Sequence, residues 1–300
     1  MVTFRQKLVA KILHSYPFYR GCATIADSWA QKIAGESDEI VWARLRNGKY
    51  VRGSLGDFSG RCAFYMGDNN DRKINWLCKK LVRPGDIALD IGANLGIVTF
   101  TLASLVGETG HVHAFEPNPQ MQGFIEEAIK YNNTKNISLH RCALGTKDTT
   151  LELKIPSGHS GLASLIRNYE QNNPTKSKVQ VRSLASILPE IVSKKIRFVK
   201  IDVEGFELQV LQGGYEVFQN NPPDIILVEL ITTSSSVHQH PTIEMLRELG
   251  YDFFSLPKNL MSVRPKVFNP EKSEYKGSDL LAVYRGKMFK EVAELLGATA

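Results

Sequence analysis

The residues Asp90-Ile91-Gly92-Ala93-Asn94-Leu95-Gly96 stand where a short apolar run, Ile87 to Ile91, gives way to a helical pattern from Leu95 to Val106. Glycines at a strand-to-helix turn let the backbone approach a ligand, and a helix N-terminus follows at once. Glu116 lies 24 residues past Gly92, at the end of a second run, His111 to Phe115. A carboxylate in that place accepts hydrogen bonds from both hydroxyls of a ribose. One half of a sheet is therefore expected to hold a nucleoside. Further along, Asp202 and Glu204 follow the run Phe198 to Ile201, and Glu229 follows Ile225 to Val228. Carboxylates at the ends of central strands are candidates to take a proton from a hydroxyl. His159, in Gly158-His159-Ser160-Gly161, adds a group that titrates near neutral pH. The three carboxylates could instead collect a magnesium ion, but their spacing specifies no metal and none is assigned.

The glycine spacing selects among nucleosides. Dinucleotide folds use G-x-G-x-x-G and set a pyrophosphate at the helix N-terminus. Here the glycines run G-x-x-x-G behind Asp90. A carboxylate repels a pyrophosphate, but it suits a ligand carrying an amino acid and a sulfonium cation. That ligand is S-adenosylmethionine (SAM). A nicotinamide-dependent oxidoreductase is the enzyme alternative, and a non-catalytic SAM- or nucleoside-binding module is the alternative from another class. The octapeptide Lys200-Ile201-Asp202-Val203-Glu204-Gly205-Phe206-Glu207 resembles the K-I-D-V-E-G-x-E signature of the FkbM-type methyltransferases. Asp90 to Gly96, Ala114-Phe115-Glu116-Pro117 and Val210-Leu211-Gln212-Gly213 match the same pattern in order. The resemblance covers about Pro84 to Glu229. It implies a class I methyltransferase fold and SAM-dependent O-methylation of a sugar, glycan or natural-product hydroxyl. The implied cofactor residues are Asp90, Gly92, Ala93, Asn94, Gly96, Glu116, Pro117, Cys142, Ala143 and Asp202. The catalytic candidates are Asp202, Glu204, Glu229 and His159. Where the family often has Glu-x-His, this chain has Glu229-Leu230-Ile231, and its next histidine is His238.

These residues need a frame. From Asp86 the apolar runs alternate with helical patterns at Leu95 to Val106 and Gln120 to Tyr131, and Ile137 to Cys142 is a third strand. Continuous apolar runs are buried on both faces, which a mostly parallel sheet under two helical layers requires. We expect a Rossmann-like, seven-stranded α/β core over residues 84–286, a C-terminal helix over 287–300, and a cap over 1–83. Thr149 to Ile155 and Lys178 to Val181 read as an inserted strand pair, with a mobile loop from Pro156 to Lys176. Tyr251 to Leu256 and Asp279 to Tyr284 should pair at the sheet edge, joined by a long polar loop. In the cap, Asn47-Gly48 between alternating runs predicts a hairpin, and Ile74 to Val82 a helix. Cap and loop together are expected to close over the methyl group and shape the acceptor pocket. Asn221-Pro222-Pro223-Asp224 resembles the box of amino-group methyltransferases but precedes the fifth strand instead of following the fourth. It reads as a turn, which argues against a nucleobase amine as acceptor and against a nucleic-acid partner.

Composition sets the outer bounds. Over 300 residues, 43% are hydrophobic and 23% charged, which excludes a disordered chain. No apolar run reaches the length of a membrane span. Four scattered cysteines form neither a disulfide framework nor a zinc site, as expected of reduced thiols in a cytoplasmic protein. The net charge is +6, yet residues 1–83 hold 15 Lys and Arg against 7 acids. That basic excess suits an anionic or lipid-linked acceptor at the inner membrane surface, or is a solvated face. Met1 to Arg20 has four basic residues and no acid, with a stripe of Phe4, Leu8 and Ile12. Burial of the stripe against the core is the expected arrangement; docking on an anionic membrane is the other. Oligomeric state leaves no mark in the sequence.

Overall fold

The computed structural model describes residues 1–169, 174–187, 195–230, 240–271 and 277–298. Two short strands, β1 (Ile40–Arg44) and β2 (Tyr50–Ser54), form the hairpin around Asn47-Gly48. The core strands follow as β3 (Ile87–Ile91), β4 (His111–Phe115) and β5 (Ile137–His140). A side sheet is made by β6 (Ala143–Leu144), β7 (Thr149–Ile155) and β8 (Thr175–Arg182). The chain then re-enters the main sheet with β9 (Phe198–Ile201), β10 (Ile225–Glu229), β11 (Tyr251–Ser255), β12 (Lys266–Phe268) and β13 (Asp279–Tyr284).

The main sheet has the order β12-β11-β13-β10-β9-β3-β4-β5. Strands β5, β4, β3, β9 and β10 are parallel, and β13 runs antiparallel to both β10 and β11. This is the class I methyltransferase arrangement. The seven expected strands are joined by β12, a three-residue edge strand between Pro265 and Pro270 in the stretch read as loop. The chain leaves β3 toward β4 and β5, then returns to β9 on the other side. That reversal opens a crevice at the carboxyl ends of β3 and β9, where ligands bind in open α/β sheets.

Both faces of the sheet are covered, as the continuous apolar runs require. One apolar cluster joins Leu89, Phe115, Val199 and Val228 to the helices Glu207–Gly213 and Pro241–Glu248. The opposite one joins Ala88, Val112, Phe198 and Leu227 to the helices Arg72–Leu81, Ile97–Val106 and Lys287–Leu296. The first 83 residues pack on this core, since Ala43, Leu45 and Val51 share a cluster with Leu95, Phe100 and Phe124.

Two expectations change. The stretch from Pro156 is not a loose loop in its first half. It holds a turn of 3₁₀ helix at Ser160–Leu162 and a bridge between Lys154 and Ser164, and Phe58 N donates to Gly158 O at 2.9 Å. Residues 170–173 lie outside the described residues, as do 272–276 and 299–300. The N-terminal helix, Phe4–Leu13, also differs. Its inward face is Gln6 and Ala10, with Leu13 partly buried, while Phe4, Leu8 and Ile12 point to solvent. The stripe is not packed on the core, because the neighbouring helix turns its small residues Ala30 and Ala34 inward and admits the face of Gln6 and Ala10 instead.

Candidate active site

A cavity of about 370 Å³ lies over the crevice, within the usual size of a small-molecule site. Its floor is the turn after β3. Gly92 sits at φ +83°, and a Cβ there would come within 1.9 Å of the Asp202 carbonyl oxygen, so no side chain fits. Asn94 holds a left-handed conformation at φ +50°, a strained choice typical of binding turns. Gly92, Ala93 and Asn94 line the cavity, followed by Glu116 and Pro117 from the end of β4 and by Cys142 and Ala143 after β5. Burial pushes the Cys142 thiol up to about 11, so it presents a neutral surface.

Glu116 is anchored before any ligand arrives. Its Oε2 accepts from the Asn94 N–H at 2.6 Å and its Oε1 from the Asn118 N–H at 2.8 Å. Burial raises its pKa to about 7, against the pull of those two N–H groups. Each oxygen keeps lone-pair capacity for a ligand hydroxyl. Asp90 and Gly96 are placed differently from the expectation. Asp90 is fully buried beneath the cavity and does not line it. It accepts from Thr99 Oγ1 at 2.6 Å and faces Lys200 Nζ at 3.5 Å. Register explains this: Asp90 pairs with Lys200 across β3 and β9, so both side chains fall in one buried row. Gly96 starts the helix Ile97–Val106 at φ +79° and stays behind the lining. Both act on the ligand site through the residues they position.

The carboxyl end of β9 carries the charged group of the cavity. Lys200 Nζ donates to the Gly92 carbonyl oxygen at 3.0 Å and lies 3.2 Å from Asp202. Burial alone would lower the Lys200 pKa, but Asp202 and Asp90 hold it above its ordinary value. Burial pushes Glu229 well above its ordinary value, with the Asp202 charge adding to it. The opposite shifts of the two carboxyls put their shared proton on Glu229, which donates it in a hydrogen bond to Asp202. Burial would raise Asp202 too, yet Lys200 and the bond from Glu229 outweigh it and hold that carboxyl below its ordinary value. Glu204 follows at φ +54° and pairs with Arg167 at 2.8 Å; burial pushes it to about 7. Glu207 pins this turn by accepting from the Gly205 N–H at 2.9 Å. Oxygens of Asp202, Glu204 and Glu229 lie within 4.8 Å of one another, close enough to hold a hard cation. Each carboxyl also has a partner of its own: Lys200 for Asp202, Arg167 for Glu204 and a proton for Glu229.

Residues 90–253 match the model of the methyltransferase FkbM domain. The chain belongs to that family. The FkbM match begins at the buried aspartate of β3 and ends in β11, so it takes in every cavity residue from the main sheet except Ser278 and Asp279. S-adenosylmethionine is the cofactor of the family, and the cavity fits it: a floor bare of side chains beside a doubly anchored carboxylate at the end of β4. The chain is 27% identical over 142 residues to Methyltransferase 1 of Beauveria bassiana, covering 42% of this chain and 57% of that protein. It thus spans little more than half the length of that curated relative. Among solved structures it is similar to the methyltransferase FkbM of Methylobacillus flagellatus, at 14% identity and a TM-score of 0.41, covering 77% of this chain and 53% of that one. It is likewise similar to a SAM-dependent O-methyltransferase of Thermotoga maritima, at 14% identity and a TM-score of 0.37, covering 72% and 66%.

The FkbM signature does not contain every residue of the site. His159 lines the cavity, but its ring stacks on Phe58 with centroids 4.4 Å apart, and burial lowers its pKa. His238 lies outside the described residues. Asp57, Ser59 and Ser160 carry no motif, yet they tie the cap to the glycine turn. Asp57 accepts from the Ser160 N–H at 2.6 Å and hydroxyl at 2.9 Å; that hydroxyl also reaches Asn94 Oδ1 at 3.1 Å, and Asn94 Nδ2 donates to Ser59 at 2.9 Å. Asp57 also caps the helix Phe58–Met66. An Asp ahead of a helical run signals only the cap; the partner lies 103 residues away. Asp57→Ala removes a helix cap and two partly buried bonds, so it should lower unfolding free energy by about 1–3 kcal/mol. Urea denaturation with an unchanged midpoint would show that this latch carries no weight.

Proposed function

We propose that this chain transfers a methyl group from SAM to a hydroxyl of a small, hydroxyl-rich acceptor such as a sugar, glycan or natural product. The observation that carries the reading is the Asp202–Glu229 pair, which opens into the cavity floored by the glycine turn and walled by Glu116. Bound SAM would supply an electrophilic methyl group, so the protein's tasks are to orient the hydroxyl, exclude water and receive its proton. Glu116, Gly92 and Asn94 hold the nucleoside side. Asp202 accepts the hydroxyl proton at its free oxygen lone pair. Lys200 fixes the direction of that carboxylate, and the proton on Glu229 keeps a second negative charge from forming beside it.

The far end of the cavity supports a hydroxylated acceptor. Asn69, Asn70 and Asp71 from the cap line it, with Ser278 and Asp279 at the start of β13. Amides and carboxyls of this kind bond to hydroxyl groups and leave a purely apolar acceptor unmatched. Cap and loop thus shape the acceptor end and enclose the reacting centre, with His159 and Phe58 as one wall.

The test is calorimetric and then catalytic. Titration with SAM, S-adenosylhomocysteine and NAD should show binding of the first two alone. Incubation with radiolabelled SAM and a panel of sugars and glycans should then place label on an acceptor oxygen. Binding of NAD in preference to SAM would reject the reading, and label on nitrogen or carbon would reject the hydroxyl acceptor.

A further inference from the structure

The N-terminal helix turns an apolar stripe to solvent that folding leaves uncovered. Phe4, Leu8 and Ile12 are 79%, 46% and 63% exposed. At 3.6 residues per turn they span an arc of roughly 80°, on the side opposite Gln6, Ala10 and Leu13. The inward residues already satisfy the fold. Gln6 closes a capping box with Thr3 and donates to the Gly35 carbonyl oxygen, and Val9 and Leu13 pack on the cluster around Ala26 and Tyr65. The helix Ala30–Ala34 packs beside it and follows the same rule: its alanines face inward, while Trp29 and Ile33 are 63% and 60% exposed. Helices that bury alanine and expose large apolar residues are arranged for a partner outside the fold.

The charges name that partner. On the helical wheel Lys7 and Lys11 flank one side of the stripe and Arg5 the other, and Lys32 adjoins Ile33. All four are exposed, and among the described residues none of the four takes part in an ion pair. The helix Phe4–Leu13 holds no acid, and Glu36 and Asp38 lie past Gly35, beyond the end of the second helix. Of the acids that come closer, Glu39 is taken up by the Met1 ammonium at 2.6 Å and Asp27 by Arg61 at 2.6 Å. An apolar stripe bordered by cations matches a bilayer surface: acyl chains take the stripe and anionic headgroups take the lysines. We propose that this face docks the protein on membranes rich in anionic lipid, with the helix Phe4–Leu13 lying in the plane of the headgroups.

Co-sedimentation of the full chain with vesicles tests this. One set is phosphatidylcholine alone; in the other about a third of the lipid is phosphatidylserine. The chain should bind the anionic vesicles at about 0.1 M salt and leave them at about 1 M, where the screening length falls from about 10 Å to about 3 Å. Lys7→Gln with Lys11→Gln should weaken binding about five-fold for each cation lost. Leu8→Ser with Ile12→Ser should abolish it; these are solvent-facing side chains, so both pairs should melt with the wild type. Failure to bind at low salt would overturn the proposal, as would equal binding to both vesicle types. So would sedimentation of the wild type as a dimer that Leu8→Ser with Ile12→Ser dissociates, which would assign the face to a second copy of the chain.

Discussion

Asp202→Asn should lower the turnover of methyl transfer by about 10²–10⁴-fold, the range a positioned general base supplies, with SAM affinity changed less than tenfold. The amide keeps the shape of the side chain and can still accept from Lys200, but it cannot take a proton. Glu229→Gln is the matched control. Burial and the Asp202 charge push Glu229 up, so it holds the proton of the pair, and its amide replacement preserves a donor toward Asp202. Its cost should therefore stay within about tenfold. Initial rates with labelled SAM, paired with calorimetric SAM affinities, separate the two roles. A turnover for Asp202→Asn within tenfold of wild type would remove Asp202 as the base. Glu204, held by Arg167 at 2.8 Å, would then be the next carboxyl to test.

The second large effect is on SAM binding. Glu116→Ala should weaken it by about 1–3 kcal/mol, the loss of charge-assisted bonds to the ribose hydroxyls. The same change leaves the Asn94 and Asn118 N–H groups without their acceptor, so the variant should also melt at a lower temperature. The pH dependence isolates the charge. The Glu116 carboxyl stands near 7 in the folded protein because it is buried. Ligand hydroxyls bond best to the ionised form, which is complete above that value and lost below it. SAM affinity should thus be about tenfold weaker at pH 6 than at pH 8, the change expected for one proton with a pKa near 7. Glu116→Gln should bind weakly with a flat profile. A wild-type affinity independent of pH over that range would show that Glu116 does not titrate in contact with the ligand.

Most of the cofactor half was legible in the chain because its signals are local. The strand–turn–helix around Gly92 and the acid at the end of β4 each occupy one short segment. Continuous apolar runs told of a sheet covered on both faces, and Asn47-Gly48 told of the hairpin. The octapeptide from Lys200 marked the second turn, although the reason for its lysine and last glutamate was not visible there. Lys200 reaches from β9 to Asp90 and Gly92, and Glu207 folds back on the Gly205 N–H.

Relations between distant segments were settled by the tertiary structure alone. Strand register put Asp90 in a sealed row with Lys200, although its place in the motif suggested contact with the ligand. The approach of β9 and β10 brought Asp202 and Glu229 together, and only that proximity under burial shares one proton between them. Asp57 met Ser160 across 103 residues, with no pattern in either segment to announce it. The N-terminal helix shows the same division. Periodicity identifies its apolar stripe and basic flanks, but which face turns inward depends on the helix it meets. Alanines on that neighbour admit Gln6 and Ala10 at close range, and the larger side chains are left facing outward.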